Sequence, residues 1–575
     1  MITLKDLLQV IPAANGSARK LAAIVGVAPE ISVLHLLEQG VRWRVMNGGI
    51  ITHVFVLMLE NRSYDHIFGF SNFDGVNART NGQASAEGLP SPLPTNFDPA
   101  TQLAIEPSSP ADFKLFDDDG DPGHGFIDTL VQLCGSKVAP TSGQLPNGKY
   151  PCIHNSGFVE DCRNRIGSAN PFKCMQVFDP QQLPVLNALA NEFAICDHWF
   201  SSMPGPTWPN RFFVHAATSG GIDDEVASEA FRYLFDGFSF TNGTIFTRLL
   251  EAGKNYMVFS DDTFPVIKGL SDKDFPINDC MFVHPPDPPP FAYSIPMLLG
   301  LPVLPEALNN PGFDPSYVFI EPNYGHDISA STYECGNSMH PIDDAGRGEY
   351  LIKAVYEAVR NSPLWYSSAI IVVFDEHGGF FDHVPPPSAV PPGDLPTEQN
   401  QNQHGFRFDQ YGVRVPAVVI SPWIAAHTID HTLFDHASIP ATIERLFGLA
   451  PLTQRDAKAN DLLPLFSLVS PRADAPAVLP SPAPTGFTCD GDDVVPSTAQ
   501  KARTRIVKSA NDPISSDVAQ QLFLAARKHL ALVPSTEREA VVQRYSNIKT
   551  IADADQYLGE VRALIKASPL PQRPH

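Results

Sequence analysis

Two apolar runs, "HVFVLML" at residues 53–59 and "AIIVVF" at 369–374, each lead directly into oxygen-bearing side chains. The first meets Glu60-Asn61 and the second meets Asp375-Glu376. An acid after a strand is ordinarily a turn former or a helix cap. Two such pairs from distant parts of one chain suggest another use, because ligands collect at the carboxyl ends of strands in open parallel sheets. Three carboxylates brought to one edge repel one another, and their pKa values rise unless a cation joins them. The expected cation is one divalent ion. Oxygen donors favour calcium, magnesium or manganese, and zinc is also compatible with carboxylates.

A third stretch, "SSMPGPTWPNRFFVHAATS", sets Thr207 after a Pro-Gly-Pro turn and before a helical pattern with Pro209 in its first turn. Thr207 reads either as an ordinary N-cap or as a hydroxyl at an anion-binding helix start. Metal ligation in the second reading would make that hydroxyl a nucleophile at neutral pH. Arg211 reads equally as a phosphate ligand or as half of a structural ion pair. His124 in "DPGHGF", His326 in "EPNYGHD" and His340 in "SMHPIDDAGRGE" are candidates for proton transfer among 18 histidines.

The elements that must position these residues are legible in outline. From 51 to about 450, buried-strand runs alternate with amphipathic helix patterns, the signature of a layered α/β protein. In "GRGEYLIKAVYEAVRNSP", Leu351, Ile352, Val355 and Val359 mark one helical face. "ASIPATIERLFG" predicts a helix ending at Gly448. Residues 464–496 carry seven prolines and little periodicity, which predicts a linker. Helical patterns follow near 516–532, 536–545 and 551–567, with Thr536 and Glu539 at capping-box spacing. The expected division is an N-terminal extension (1–50), a catalytic domain (51–463), a Pro-rich linker (464–500) and a basic helical tail (501–575).

Composition narrows the classes. Hydrophobic residues at 43% and charged residues at 18% describe a globular chain, and no run is apolar enough to span a bilayer. The net charge of −23 is uneven: 501–575 hold 12 Lys/Arg against 7 Asp/Glu, and the preceding 500 residues hold 28 against 56. An acidic body repels polyanions, which argues against nucleic acid as a partner. The basic tail is expected to dock on that body, with peripheral membrane contact as its alternative. No convincing secretory signal is read at the N-terminus, so a cytoplasmic or peripheral location is favoured over a secreted one. Oligomeric state is not read.

The motifs "ENRSYDHIFG", "DPGHGF", "TWPNRFFVHAATS", "HPIDDAGRGE", "DEHGGFFDHVPPP" and "GVRVPAVVISPW" occur in this order over roughly residues 50–450. Together they resemble the phosphoesterases that include bacterial phospholipases C, plant non-specific phospholipases C and a group of bacterial acid phosphatases. The resemblance implies an alkaline-phosphatase-like fold: an α/β three-layer sandwich with a central, mostly parallel sheet. To this the tail adds a small helical C-terminal extension. Carried over by position, Glu60, Asn61, Thr207, Asp375 and Glu376 are the implied metal ligands, with Thr207 also the nucleophile. His124 and His340 are the implied phosphate-binding or acid/base histidines of the catalytic set. Asn61 and His326, with Arg211 from the residue reading above, are the expected substrate ligands. Met339 replaces the aspartate that precedes the family's histidine at 340. The expected activity is metal-dependent hydrolysis of a phosphoric ester, of phospholipase C type, through a phosphothreonine. The alternatives are an acid phosphatase acting on small monoesters and a catalytically silent lipid- or partner-binding protein.

Overall fold

The structure, a computed structural model, describes residues 51–115, 122–139, 143–166, 172–225, 233–262, 264–276, 280–281, 303–325, 336–394, 402–487, 510–511, 513–514 and 516–567. The N-terminal extension and His326 lie outside the described residues.

One sheet organises the body. In chain order its strands are β1 (His53–Leu59), β2 (Asp74–Asn77), β3 (Gln83–Ser85), β4 (Ala194–Cys196), β5 (Tyr256–Ser260), β6 (Cys280–Met281), β7 (Tyr317–Glu321), β8 (Ser368–Phe374), β9 (Ala417–Ile420) and β10 (Thr428–Asp430). Across the sheet they lie in the order β3-β2-β10-β4-β9-β8-β1-β7-β5-β6. All run parallel except β9 and the edge strand β3. Every residue of β8 is buried, as is all of β1 after His53. Continuous β-branched and aliphatic runs of that kind are what a sheet covered on both faces requires.

The helices among the described residues include α1 (Tyr64–Phe68), α2 (Phe126–Cys134), α3 (Pro184–Glu192), α4 (Thr207–Ala216), α5 (Ala345–Arg360), α6 (Ser438–Phe447), α7 (Ser516–Leu532), α8 (Arg538–Ser546) and α9 (Ile551–Ala567). Helix α5 packs on α3 and on β1 and β8, and α4 packs on α6. The face read from the sequence is the buried one, since Leu351, Ile352, Val355 and Val359 are inaccessible to solvent. The Thr536 capping box is not formed. A 3-10 turn occupies 535–537, the N-cap of α8 is Glu537, and no side chain caps it.

The proline-rich segment is held down through its described part. The carbonyls of Ala475, Pro476 and Leu479 accept from Arg360, Tyr356 and Lys353 of α5. Arg472 pairs with Glu192 at 2.9 Å. The C-terminal helices also meet the body. Phe523 of α7 packs edge-on to Trp208, and Arg527 donates to the carbonyls of Tyr233, Lys268 and Leu270. Among the described residues no helix is long and apolar enough to cross a membrane.

Candidate active site

Strand register creates the site. In the parallel pair β1–β8, Leu59 lies opposite Phe374, so Glu60 and Asp375 leave the same sheet edge side by side. Asn61 then turns the chain with φ +58°, a left-handed conformation that asparagine tolerates better than most residues. Its N–H donates to Asp375 Oδ1 at 3.0 Å, and Arg62 N–H donates to the Glu376 carbonyl at 2.9 Å. A third strand contributes in the same way. Strand β7 is parallel to β1 on its other side and ends in Glu321, a buried carboxylate. Sequence reading missed Glu321, although "YVFIE" carries the same signal of an apolar run ending in an acid.

Arg211 sits among these carboxylates. Its Nε donates to Asp375 Oδ2 at 2.9 Å, and its other nitrogens lie 3.9 Å from Glu60 Oε1 and from Glu321 Oε1. It also donates to the Tyr324 hydroxyl. The guanidinium thus makes the structural ion pairs of the second reading of Arg211. One positive charge faces three buried carboxylates. Burial raises the Glu60 pKa well above the ordinary range, with Arg211 opposing. The same causes raise Asp375 to about 6 and Glu321 to about 7.

That charge deficit fits a cation, and so do the hydrogen bonds. Glu376 Oε2 accepts from Gly378 N–H, but its Oε1 is buried without a hydrogen-bond partner. Glu60, Asp375 and Glu376 nevertheless do not bring three ligand oxygens within 4.8 Å of one another. Among the described residues, only Asp65, Asp382 and His383 form such a group. There Arg414 already bridges the two aspartates, at 3.0 Å and 2.9 Å. The guanidinium already supplies positive charge to both aspartates.

Thr207 stands at the opposite wall. It is the first residue of α4, whose N-cap is Pro206, so the N-cap reading is corrected. Its hydroxyl donates to Asn61 Oδ1 at 3.4 Å. Asn210, unnoticed in the sequence, fixes the preceding turn. Its amide donates to the carbonyls of Met203, Gly205 and Pro206, and its Oδ1 accepts from Met203 N–H.

His340 lines one pocket with Glu60, Thr207, Trp208 and Tyr324. Its backbone is braced by Arg62, which donates to the carbonyls of Met339 and His340. Met339 is inaccessible and has φ +68°, so it packs inward where an aspartate would be charged. His124 is buried 6.1 Å from the His340 ring, centroid to centroid, with Nδ1 2.9 Å from the Pro122 carbonyl. His377 joins Gln132 Oε1 at 2.6 Å and lies 3.3 Å from Glu376 Oε2, so it orients a carboxylate.

The glycine pair of "DEHGG" ties these segments together. Gly378 and Gly379 have φ +62° and +74°. A Cβ at Gly378 would collide with the Asn61 carbonyl, and one at Gly379 would come 2.6 Å from the Gly123 carbonyl. Gly378→Ala is expected to lose about 1–2 kcal/mol from the left-handed backbone alone and more from displacing Asn61. Denaturant unfolding and turnover should fall together, and an unchanged variant would refute this role.

His383 gives a pH signature outside the pocket. Burial alone would lower its pKa, but hydrogen bonds to Asp65 and Glu87 outweigh that and raise it to about 9. Its contribution to stability is full below pH about 6.5, the ordinary histidine value, and is lost as pH rises through about 9. The stability gap between wild type and His383→Gln, measured by thermal unfolding, should therefore close in alkali.

Residues 51–450 match the model described as "Phosphoesterase family". The chain belongs to the phosphoesterase family. It is 35% identical to non-specific phospholipase C3 of Arabidopsis thaliana over 442 residues, 75% of this chain and 76% of that one. Against phospholipase C B of Mycobacterium tuberculosis the identity is 27% over 450 residues, 73% and 78% of the two chains. A solved structure, the phosphonate monoester hydrolase of Agrobacterium radiobacter, overlaps 50% of this chain and 72% of its own at TM-score 0.29 and 13% identity. This phosphoesterase is a phosphoric ester hydrolase with an α/β body.

Proposed function

We propose that this phosphoesterase is a metal-dependent hydrolase of phospholipase C type, releasing diacylglycerol and a phosphorylated headgroup through a phosphothreonine. The observation that carries the reading is the shared pocket of Thr207, Glu60 and His340, with Asn61 bonded to the threonine hydroxyl. The phospholipase C names of its relatives support the choice of substrate.

Glu60, Asn61, Thr207, Asp375 and Glu376 would hold the ion, with Glu321 close by. A bound divalent ion would lower the pKa of the Thr207 hydroxyl and offset charge on the phosphoryl oxygens. Thr207 Oγ1 releases its proton to solvent and attacks phosphorus in line with the departing glycerol oxygen, which takes a proton from His340 as its bond to phosphorus breaks. Asn61 Nδ2, buried without a hydrogen-bond partner, donates to a phosphoryl oxygen as charge builds there. Free N–H groups in the first turn of α4 face the same charge. Water then cleaves the bond between phosphorus and Thr207 and regenerates the hydroxyl.

The test sets a phosphatidylcholine dispersion beside a soluble phosphomonoester. Release of diacylglycerol with the higher kcat/KM supports the phospholipase reading. Preference for the monoester transfers the same residues to an acid phosphatase.

A further inference from the structure

The pocket that holds Thr207 is not built by the body alone. Gln520, Gln521 and Leu524 of α7 line it, facing a wall that includes Trp208, Phe264 and Val266. These three residues lie more than 300 positions beyond Thr207 in the chain, past the family-matched region that ends at residue 450. They reach the site because α7 is anchored beside them: Phe523 packs against Trp208 and Phe238, and Arg527 donates to four body carbonyls.

Gln521 is only 4% exposed, and its Oε1 has no hydrogen-bond partner. An amide acceptor buried unpaired keeps the desolvation cost of burial with nothing to offset it. A ligand that donates a hydrogen bond would recover that loss. The cavity is small and open at its mouth, so it suits a small polar group and cannot enclose a pair of acyl chains. The part of a phosphodiester that enters is therefore its headgroup.

An aromatic cage for a quaternary ammonium is the rival within this pocket. Two of its three aromatic rings, those of Tyr324 and Trp208, are already occupied. Tyr324 has the Arg211 guanidinium 5.3 Å from its centroid, and Trp208 is packed edge-to-face by Phe212, Phe238 and Phe523.

We propose that α7 forms the headgroup wall of the active site and that the Gln521 amide accepts a hydrogen bond from a hydroxyl or primary amine on the headgroup. This selectivity rests on the phosphodiester reading above, and its test is made by binding so that the two can fail separately. The probes are phosphoethanolamine and phosphocholine, which differ in whether the nitrogen carries hydrogens. Each is titrated calorimetrically into the full chain supplied with divalent metal.

Wild type should bind phosphoethanolamine about tenfold more tightly than phosphocholine, the equivalent of one buried hydrogen bond. Gln521→Leu, close in volume and apolar, should bring the two affinities together. Gln521→Asn, which keeps the amide on a shorter stem, should retain part of the difference and shows whether the helix still docks. Equal affinities in wild type, a preference that survives in Gln521→Leu, or no binding of either probe would overturn the proposal. Failure to cleave lipid while the binding difference holds would overturn the phospholipase reading and leave the Gln521 contact standing.

Discussion

Thr207→Ala is expected to lower turnover by at least about a thousandfold, because removing a nucleophile removes the covalent route and not merely a binding contact. The fold should hardly notice. Thr207 makes one long hydrogen bond, 3.4 Å to Asn61, so the stability loss should stay within about 1 kcal/mol. The turn before it is held by Asn210, which the substitution does not touch. Thr207→Ser keeps the oxygen and should retain measurable activity. Steady-state kinetics with denaturant unfolding of both variants separates the effects. Near-normal turnover in Thr207→Ala would remove the phosphothreonine mechanism.

The largest stability effect is expected from Arg414→Met. Arg414 is inaccessible and satisfies Asp65 and Asp382 as well as the carbonyls of Asp197 and Glu87. Its guanidinium also lies 4.4 Å from the centre of the Tyr64 ring. Removing the cation leaves two carboxylates buried with only His383 beside them. Breaking a buried ion pair at one partner costs roughly 3–5 kcal/mol. Activity should fall as well, since Asp65 N–H bonds Asp382 Oδ2 and so ties the segment after Asn61 to the segment after Glu376. A loss below about 1 kcal/mol in denaturant unfolding would show that the pair is not needed to hold these segments.

Much of the sheet was legible because a fully buried strand must be apolar throughout. The runs at β1 and β8 could be little else, and their parallel pairing is what brings Glu60 beside Asp375. Strand direction was less legible: "AVVI" reads the same whether β9 runs with its neighbours or against them, and it runs against them. The helix face around Leu351 was readable from its period. The Thr536 capping box was not, since that spacing also fits a 3-10 turn that never puts Thr536 at the N-cap.

Within the site, strand-end carboxylates announced themselves, but the roles of Arg62, Arg211 and Arg414 did not. A buried arginine takes its role from partners, and these lie up to 349 positions away in the chain. Gln521 was invisible for the same reason, because only the docking of α7 puts its amide beside Thr207. The proline-rich stretch misled differently. Absence of periodicity excludes a helix or strand but does not exclude a segment strapped to α5 through its carbonyls.

The most direct measurement of the central claim follows bound divalent ion and turnover together as chelator is titrated into the protein, with elemental analysis of each sample. Turnover should fall in proportion to bound ion, vanish with it and return when a divalent ion is restored. Full turnover in protein carrying no measurable ion would contradict it, and the carboxylates at the ends of β1 and β8 would need another purpose.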